Sequence, residues 1–82
     1  MNSVYVATCE ICHYEGLRII EENFESEEYT DYHSARYAME QFASKIISEY
    51  GAIEYIRRDD IILAEKDDIT WICRVRKCST AL

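Results

Sequence analysis

One stretch of this chain, DYHSARYAMEQFASKIISEYG at residues 31–51, fits a single regular structure and constrains everything on either side of it. Apolar residues recur at Ala35, Ala38, Met39, Phe42, Ala43, Ile46, Ile47 and Tyr50, the three-and-four spacing of a helix with one buried side. Arg36, Glu40, Gln41, Ser44, Lys45, Ser48 and Glu49 occupy the other side. The Asp31 carboxylate is suited to accept from the free amides of the first turn, and Gly51 to take the left-handed conformation that closes the last. Phe42 and Ile46 are the expected anchors of this helix on the rest of the chain.

What flanks the helix reads as strands. Residues 4–11 are rich in β-branched and aromatic types, a turn is expected over residues 13–16, and residues 17–24 read as a second strand with apolar Ile19 and Ile20 on opposite faces. After the helix, residues 53–57, 61–65 and 69–77 read as three strands separated by Arg58-Asp59-Asp60 and Lys66-Asp67-Asp68. The expected order is ββαβββ: one α+β domain over residues 1–82, an antiparallel sheet with a single amphipathic helix on one face. One helix leaves the second face of such a sheet uncovered. Ile53, Tyr55, Ile61, Leu63, Ile69, Trp71 and Val75 are expected on one face and Ile56, Ile62 and Ile72 on the other, which makes that other face a candidate contact surface and a homodimer a possible outcome.

With 49% hydrophobic residues the chain is no disordered polymer, yet at 82 residues its core is thin. No apolar run is long enough to cross a bilayer, and the start MNSVYVATCE lacks the basic and long apolar segments of a secretion signal, so the expected location is the cytoplasm. Sixteen acids stand against nine bases. They are spread unevenly, with eleven acids and three bases up to Ile56 and five acids and six bases beyond it. Direct binding of nucleic acid is disfavoured, because neutralising phosphates takes an excess of Lys and Arg, and a basic protein surface is the favoured partner.

Four cysteines in a reducing compartment are expected to be free thiols or metal ligands. Cys9-Glu10-Ile11-Cys12-His13 spells the haem-attachment pattern C-x-x-C-H, without the export signal and late axial methionine that such a site requires. Zinc is the stronger metal reading: Cys9, Cys12, Cys73 and Cys78, with His13 as a substitute, would complete a tetrahedral set. Strand alternation opposes it by placing Cys9 and Cys73 in the core and Cys12 and Cys78 outside. A thiol enzyme using Cys9 or Cys12 with His13 or His33 is the third reading, and no nucleophile, base and orienting group can be named together. No catalytic residues are therefore assigned, and no cofactor is expected.

The segment EENFESEEYTD, residues 21–31, carries six acids in eleven positions interleaved with aromatics. Acids near a helix N-terminus are favoured by its dipole whatever else they do. Tyrosines among them give the composition of a recognition surface, so Glu21, Glu22, Glu25, Glu27, Glu28, Tyr29, Asp31 and Tyr32 are the expected partner-binding residues.

In the order of its elements, opening on SVYVATCEI, continuing through ARYAMEQFASKI and closing on TWICRVRK, the chain resembles small phage-encoded anti-defence proteins, in particular anti-CRISPR inhibitors of multisubunit CRISPR complexes. The resemblance implies a non-catalytic inhibitor in the host cytoplasm that covers the surface by which a host defence protein grips nucleic acid, its acids standing in for phosphates. The four cysteines and the basic C-terminal third depart from that pattern.

Overall fold

The helix forms where its caps place it. In the computed structural model, which describes the backbone of residues 2–15 and 18–80 and the side chains of residues 3–14 and 21–78, α1 (Tyr32–Tyr50) starts directly after Asp31. The Asp31 carboxylate accepts from the Ser34 amide at 2.8 Å and from the Ser34 hydroxyl at 2.7 Å. At the other end Gly51 turns left-handed at φ 70°, and the amides of Gly51 and Ala52 donate to the carbonyls of Ile47 and Ile46.

Around α1 lie β1 (Asn2–Glu15), β2 (Arg18–Glu25), β3 (Ile53–Arg58), β4 (Ile61–Lys66) and β5 (Ile69–Thr80). They form one antiparallel sheet in the order β2-β1-β5-β4-β3, an α+β fold whose elements follow the sequence ββαβββ. The first and last strands pair along twelve residues at the centre, and β2 and β3 are the edges. This long central ladder explains why the first strand outruns its expected end. His13 stands opposite both Ile20 and Ile69, and Tyr14 opposite Ile19, so residues 13–15 continue the strand instead of turning. Gly16 and Leu17, the remainder of the expected turn and the first residue of the expected second strand, lie outside the described residues.

Helix and sheet meet through small side chains. Ala7 and Cys9 of β1, Ile62 and Ala64 of β4, and Trp71 and Cys73 of β5 are buried against Met39, Ala43 and Ile46 of α1. Alanines at these positions let the helix axis come close, and Met39 and Trp71 fill the volume that remains. Phe42 is half-buried beside this cluster and is not its centre.

The face assignment along β4 differs from the sequence expectation. Ile62 is fully buried beneath the helix, while Ile61 and Leu63 lie on the opposite face. Three consecutive apolar residues carry no parity of their own, and the two-residue turn between β4 and β5 supplies it. Asp67 takes φ 53° there, pairing Lys66 with Ile69 and hence Ala64 with Trp71 and Ile62 with Cys73. On β3 the ladder slips between Glu54 and Ile56, so Glu54 and Arg57, three residues apart, share the helix face. Arg57 uses that placement to donate to Glu54 and to Glu40 of α1. Ile56 and Ile72 lie on the uncovered face as expected; Ile53, expected on the face of Trp71, pairs with Glu65 and lies on the uncovered face too, as do Ile61 and Leu63.

Candidate protein-binding surface

Among the described residues β2 has a neighbour only on one side, and beyond Glu25 the chain stays with β1 rather than leaving it. The Ser26 amide donates to the Ala7 carbonyl at 2.9 Å, and the Ser26 hydroxyl accepts from the Ala7 amide at 2.9 Å. Three residues on, Tyr29 and Tyr5 exchange both backbone hydrogen bonds. The acidic segment is thus an ordered border along β1, running from Glu21 to the helix cap at Asp31.

Strand alternation distributes its charges. Glu21 and Glu25 stand opposite Cys12 and Thr8 on the uncovered face, and Glu22 opposite Ile11 on the helix face. Glu21 and Glu25 are about 13 Å apart along the strand. Glu21, Glu22, Glu25, Glu27, Glu28 and Asp31 are all exposed. Among the described residues, every ion pair uses Glu10, Glu40 or Glu54, with Arg74, Arg36 or Arg57 as the cation. The acids of residues 21–31 take part in none of them. Among the described residues only the Asp31 carboxylate is engaged, and the Ser34 hydroxyl and amide hold its carboxyl below the usual aspartate value.

The two tyrosines expected as partner contacts have structural employment. Tyr29 is half-buried at the backbone bridge to Tyr5. Tyr32 packs edge-on against Tyr5 with ring centroids 5.9 Å apart, and its hydroxyl donates to the Asp59 carbonyl at 2.9 Å. The Arg36 guanidinium donates to the same carbonyl, so the first turn of α1 is tied to the β3–β4 turn. The exposed aromatic among the acids is instead Phe24, 52% accessible on the helix face of the edge strand. Sequence pattern alone gave no reason to single it out, since its exposure follows from β2 being an edge.

The structure divides the four cysteines into one close pair and two separate residues. Cys9 and Cys73 are directly opposite in the β1–β5 ladder, buried, with sulfurs 3.7 Å apart. Cys12 and Cys78 are half-buried on the other face, opposite Thr70 and Val4, which puts them about 26 Å apart along the sheet. The four thiols do not converge on one tetrahedral point, and among the described residues no cluster of three or more potential ligands forms. Burial pushes the Cys12 thiol up, helped by the charges of Glu21 and Glu10. In the buried pair, the Cys73 S–H donates to Cys9, which favours ionisation of Cys9 and strongly disfavours that of Cys73.

His13 and Cys12 are successive strand residues and point to opposite faces. His13 lines a cavity of about 220 Å³ with Glu22, Tyr50 and Trp71, whereas His33 is exposed in the first turn of α1. Neither histidine is placed to take a proton from Cys12.

No protein-family model, no curated protein and no solved structure matches this chain. Among the described residues, no helix is long and apolar enough to cross a membrane.

Proposed function

We propose that this protein is a non-catalytic binding protein of the cytoplasm, and that it works by laying its acidic border on a basic protein surface. The observation that carries this reading is the set of five exposed glutamates, Glu21, Glu22, Glu25, Glu27 and Glu28, held on ordered backbone without an internal cation among the described residues. A partner rich in Lys and Arg gains charge-assisted hydrogen bonds there, and among the described residues no internal ion pair has to be broken first. Phe24 supplies an apolar contact within the same border. A surface that accepts a row of carboxylates in this way is one that ordinarily accepts phosphates. The protein then acts as an inhibitor, competing with nucleic acid for a host defence protein in the manner of the anti-CRISPR proteins that its element order resembles.

The test is affinity capture from host lysate, followed by competition. A captured protein should bind DNA or RNA alone and lose it as this protein is added, and a Glu27→Lys/Glu28→Lys variant should neither capture nor compete. A captured partner that keeps its nucleic acid would refute the inhibitor reading.

The uncovered sheet face supports a second mode of association, a homodimer. Ile53 and Ile56 are exposed there, and among the described residues no element covers Ile61, Leu63 and Ile72. Light scattering behind a sizing column reads the mass directly.

A further inference from the structure

Cys9 and Cys73 are unlike the other two thiols in three independent respects. They face one another across the central ladder, their sulfurs are in contact at 3.7 Å, and Cys9 lines a cavity while Cys73 lies behind it. The cavity, about 250 Å³, runs between α1 and β2, where Ile11, Phe24, Phe42 and Trp71 line it. Its rim residues Phe24, Lys45 and Tyr50 are exposed. A small solute in this cavity therefore meets Cys9, the member of the pair that lines it.

We propose that Cys9 and Cys73 form an oxidisable dithiol, with Cys9 attacked first by a small hydroperoxide in the cavity between α1 and β2 and Cys73 closing the disulfide. The chemistry balances with the hydroperoxide as the sole oxidant. The Cys9 thiolate attacks the peroxide oxygen and becomes a sulfenic acid as the O–O bond breaks, and the departing hydroxide (or alkoxide, from an organic hydroperoxide) takes up the proton that the Cys9 thiol gave up and leaves as water (or alcohol). The Cys73 sulfur then attacks the Cys9 sulfur, the hydroxyl leaves as water with the Cys73 proton, and two thiols have become one disulfide. Peroxide takes up the two electrons that the sulfurs lose.

The geometry accommodates the product. Opposed residues of an antiparallel pair hold their Cα atoms about 4.5 to 5.5 Å apart, inside the range that a disulfide spans. The order of attack follows from position. Cys9 faces the cavity and receives the Cys73 S–H as a hydrogen bond, which favours its thiolate, whereas Cys73 is fully buried and acts as the resolving thiol. Cys12 is closer to solvent, yet its partial burial, with the charges of Glu21 and Glu10, disfavours its thiolate. The bond would join residues 64 positions apart, closing the first strand onto the last and fixing the sheet from which the acidic border hangs.

The experiment treats fully reduced protein with dilute hydrogen peroxide and follows intact mass and peptide maps. The expected product has lost the mass of two hydrogen atoms, yields a cross-linked peptide containing Cys9 and Cys73, and melts several degrees higher than the reduced form, reversibly with dithiothreitol. In a Cys12→Ser/Cys78→Ser variant, which leaves the buried pair untouched, the same product should form at an unchanged rate. With Cys73→Ser, dimedone should trap a sulfenic acid on Cys9. Oxidation confined to Cys12 or Cys78, with Cys9 and Cys73 still alkylatable as thiols after unfolding, would overturn the proposal. A sulfenic acid found on Cys73 in a Cys9→Ser variant as readily as on Cys9 in Cys73→Ser would overturn the order of attack.

Discussion

Tyr5 and Tyr29 form an isolated antiparallel pair: the Tyr5 amide donates to the Tyr29 carbonyl at 2.8 Å, and the Tyr29 amide donates to the Tyr5 carbonyl at 2.9 Å. The bridge lies beyond the end of β2 and turns a connection into a border. Between it and the ladder proper, Ser26 supplies the remaining partners for β1, its hydroxyl taking the place of a backbone carbonyl opposite the Ala7 amide. Glu27 and Glu28 are held between these two attachments.

Ser26→Ala should therefore destabilise the protein by about 1 to 3 kcal/mol, because it leaves the amide of buried Ala7 without an acceptor. Glu27→Ala and Glu28→Ala, which remove only exposed side chains, should stay within about 0.5 kcal/mol of the parent. Urea denaturation of the three variants gives the comparison. Equal midpoints would mean that the Ser26 hydroxyl does not cap β1.

Thr8 offers the opposite case. Its side chain is buried on the face away from the helix, and its hydroxyl oxygen finds no partner among the described residues. Thr8→Val keeps the β-branched shape and removes the unsatisfied hydroxyl, so it should raise stability by about 1 kcal/mol. A loss of stability in the same urea titration would reveal a hydrogen bond to that hydroxyl in solution.

Ile61 and Ile62 test the register of β4. Ile62 is fully buried under α1, and Ile62→Ala should cost about 2 to 4 kcal/mol, enough to unfold much of a domain this small. Ile61 is half-buried on the uncovered face, where truncation to Ala should cost about 1 kcal/mol or less. Thermal melts that ranked the two in reverse would place the strand in the other parity.

That pair also marks the boundary of what the sequence made legible. Helix α1 could be read to the residue, because a periodic apolar stripe, an Asp cap and a Gly stop are local signals that agree. The order of elements followed from the same kind of evidence. Strand parity did not, since Ile61-Ile62-Leu63 is apolar throughout and the turn at Asp67-Asp68 sets the register. The slip at Tyr55 and the extra residues of β1 likewise depend on what the neighbouring strands do. The burial of Cys9 and Cys73 was readable from alternation, but their contact depends on pairing β1 with β5, a relationship between the two ends of the chain. In the acidic segment the sequence named the charges. It did not reveal that Tyr29 and Tyr32 are joints, or that Phe24 lies open on an edge.

Asp31 makes the helix cap sensitive to acid. Its carboxyl is held below the ordinary value of 3.8 by the Ser34 hydroxyl and amide, so the folded state favours the ionised form. A group depressed in the folded state contributes stability above its unfolded pKa and loses it as pH falls through the folded one. The contribution of Asp31 should thus be complete at neutral pH and vanish progressively below about pH 4. Asp31→Asn, which keeps a capping oxygen without a charge, should lose less stability at pH 7 than Asp31→Ala, and the gap between parent and Asp31→Asn should close in acid. Melting curves at pH 7 and at pH 3 distinguish these outcomes, and a gap that persisted unchanged at pH 3 would show that the carboxylate charge is not what supports the cap.

The acidic border makes its own prediction through salt. If Glu21, Glu22, Glu25, Glu27 and Glu28 meet a basic partner, association should be steered by long-range attraction, and the on-rate should fall as ionic strength shortens the range of that field. Phe24 acts at contact, so Phe24→Ala should leave the on-rate nearly unchanged and speed dissociation. Glu27→Lys/Glu28→Lys is the sharper variant, because it converts attraction to repulsion on residues whose side chains are exposed and whose backbone is held by Ser26 and Tyr29. It should fold with a parental melting temperature and lose its partner at low salt, with part of the loss recovered as salt screens the new repulsion. Tight binding by this variant at both low and physiological salt would remove the border from the interface. The contact would then lie on the uncovered sheet face, where Ile56, Leu63 and Ile72 sit beside Arg58, Arg74 and Arg76.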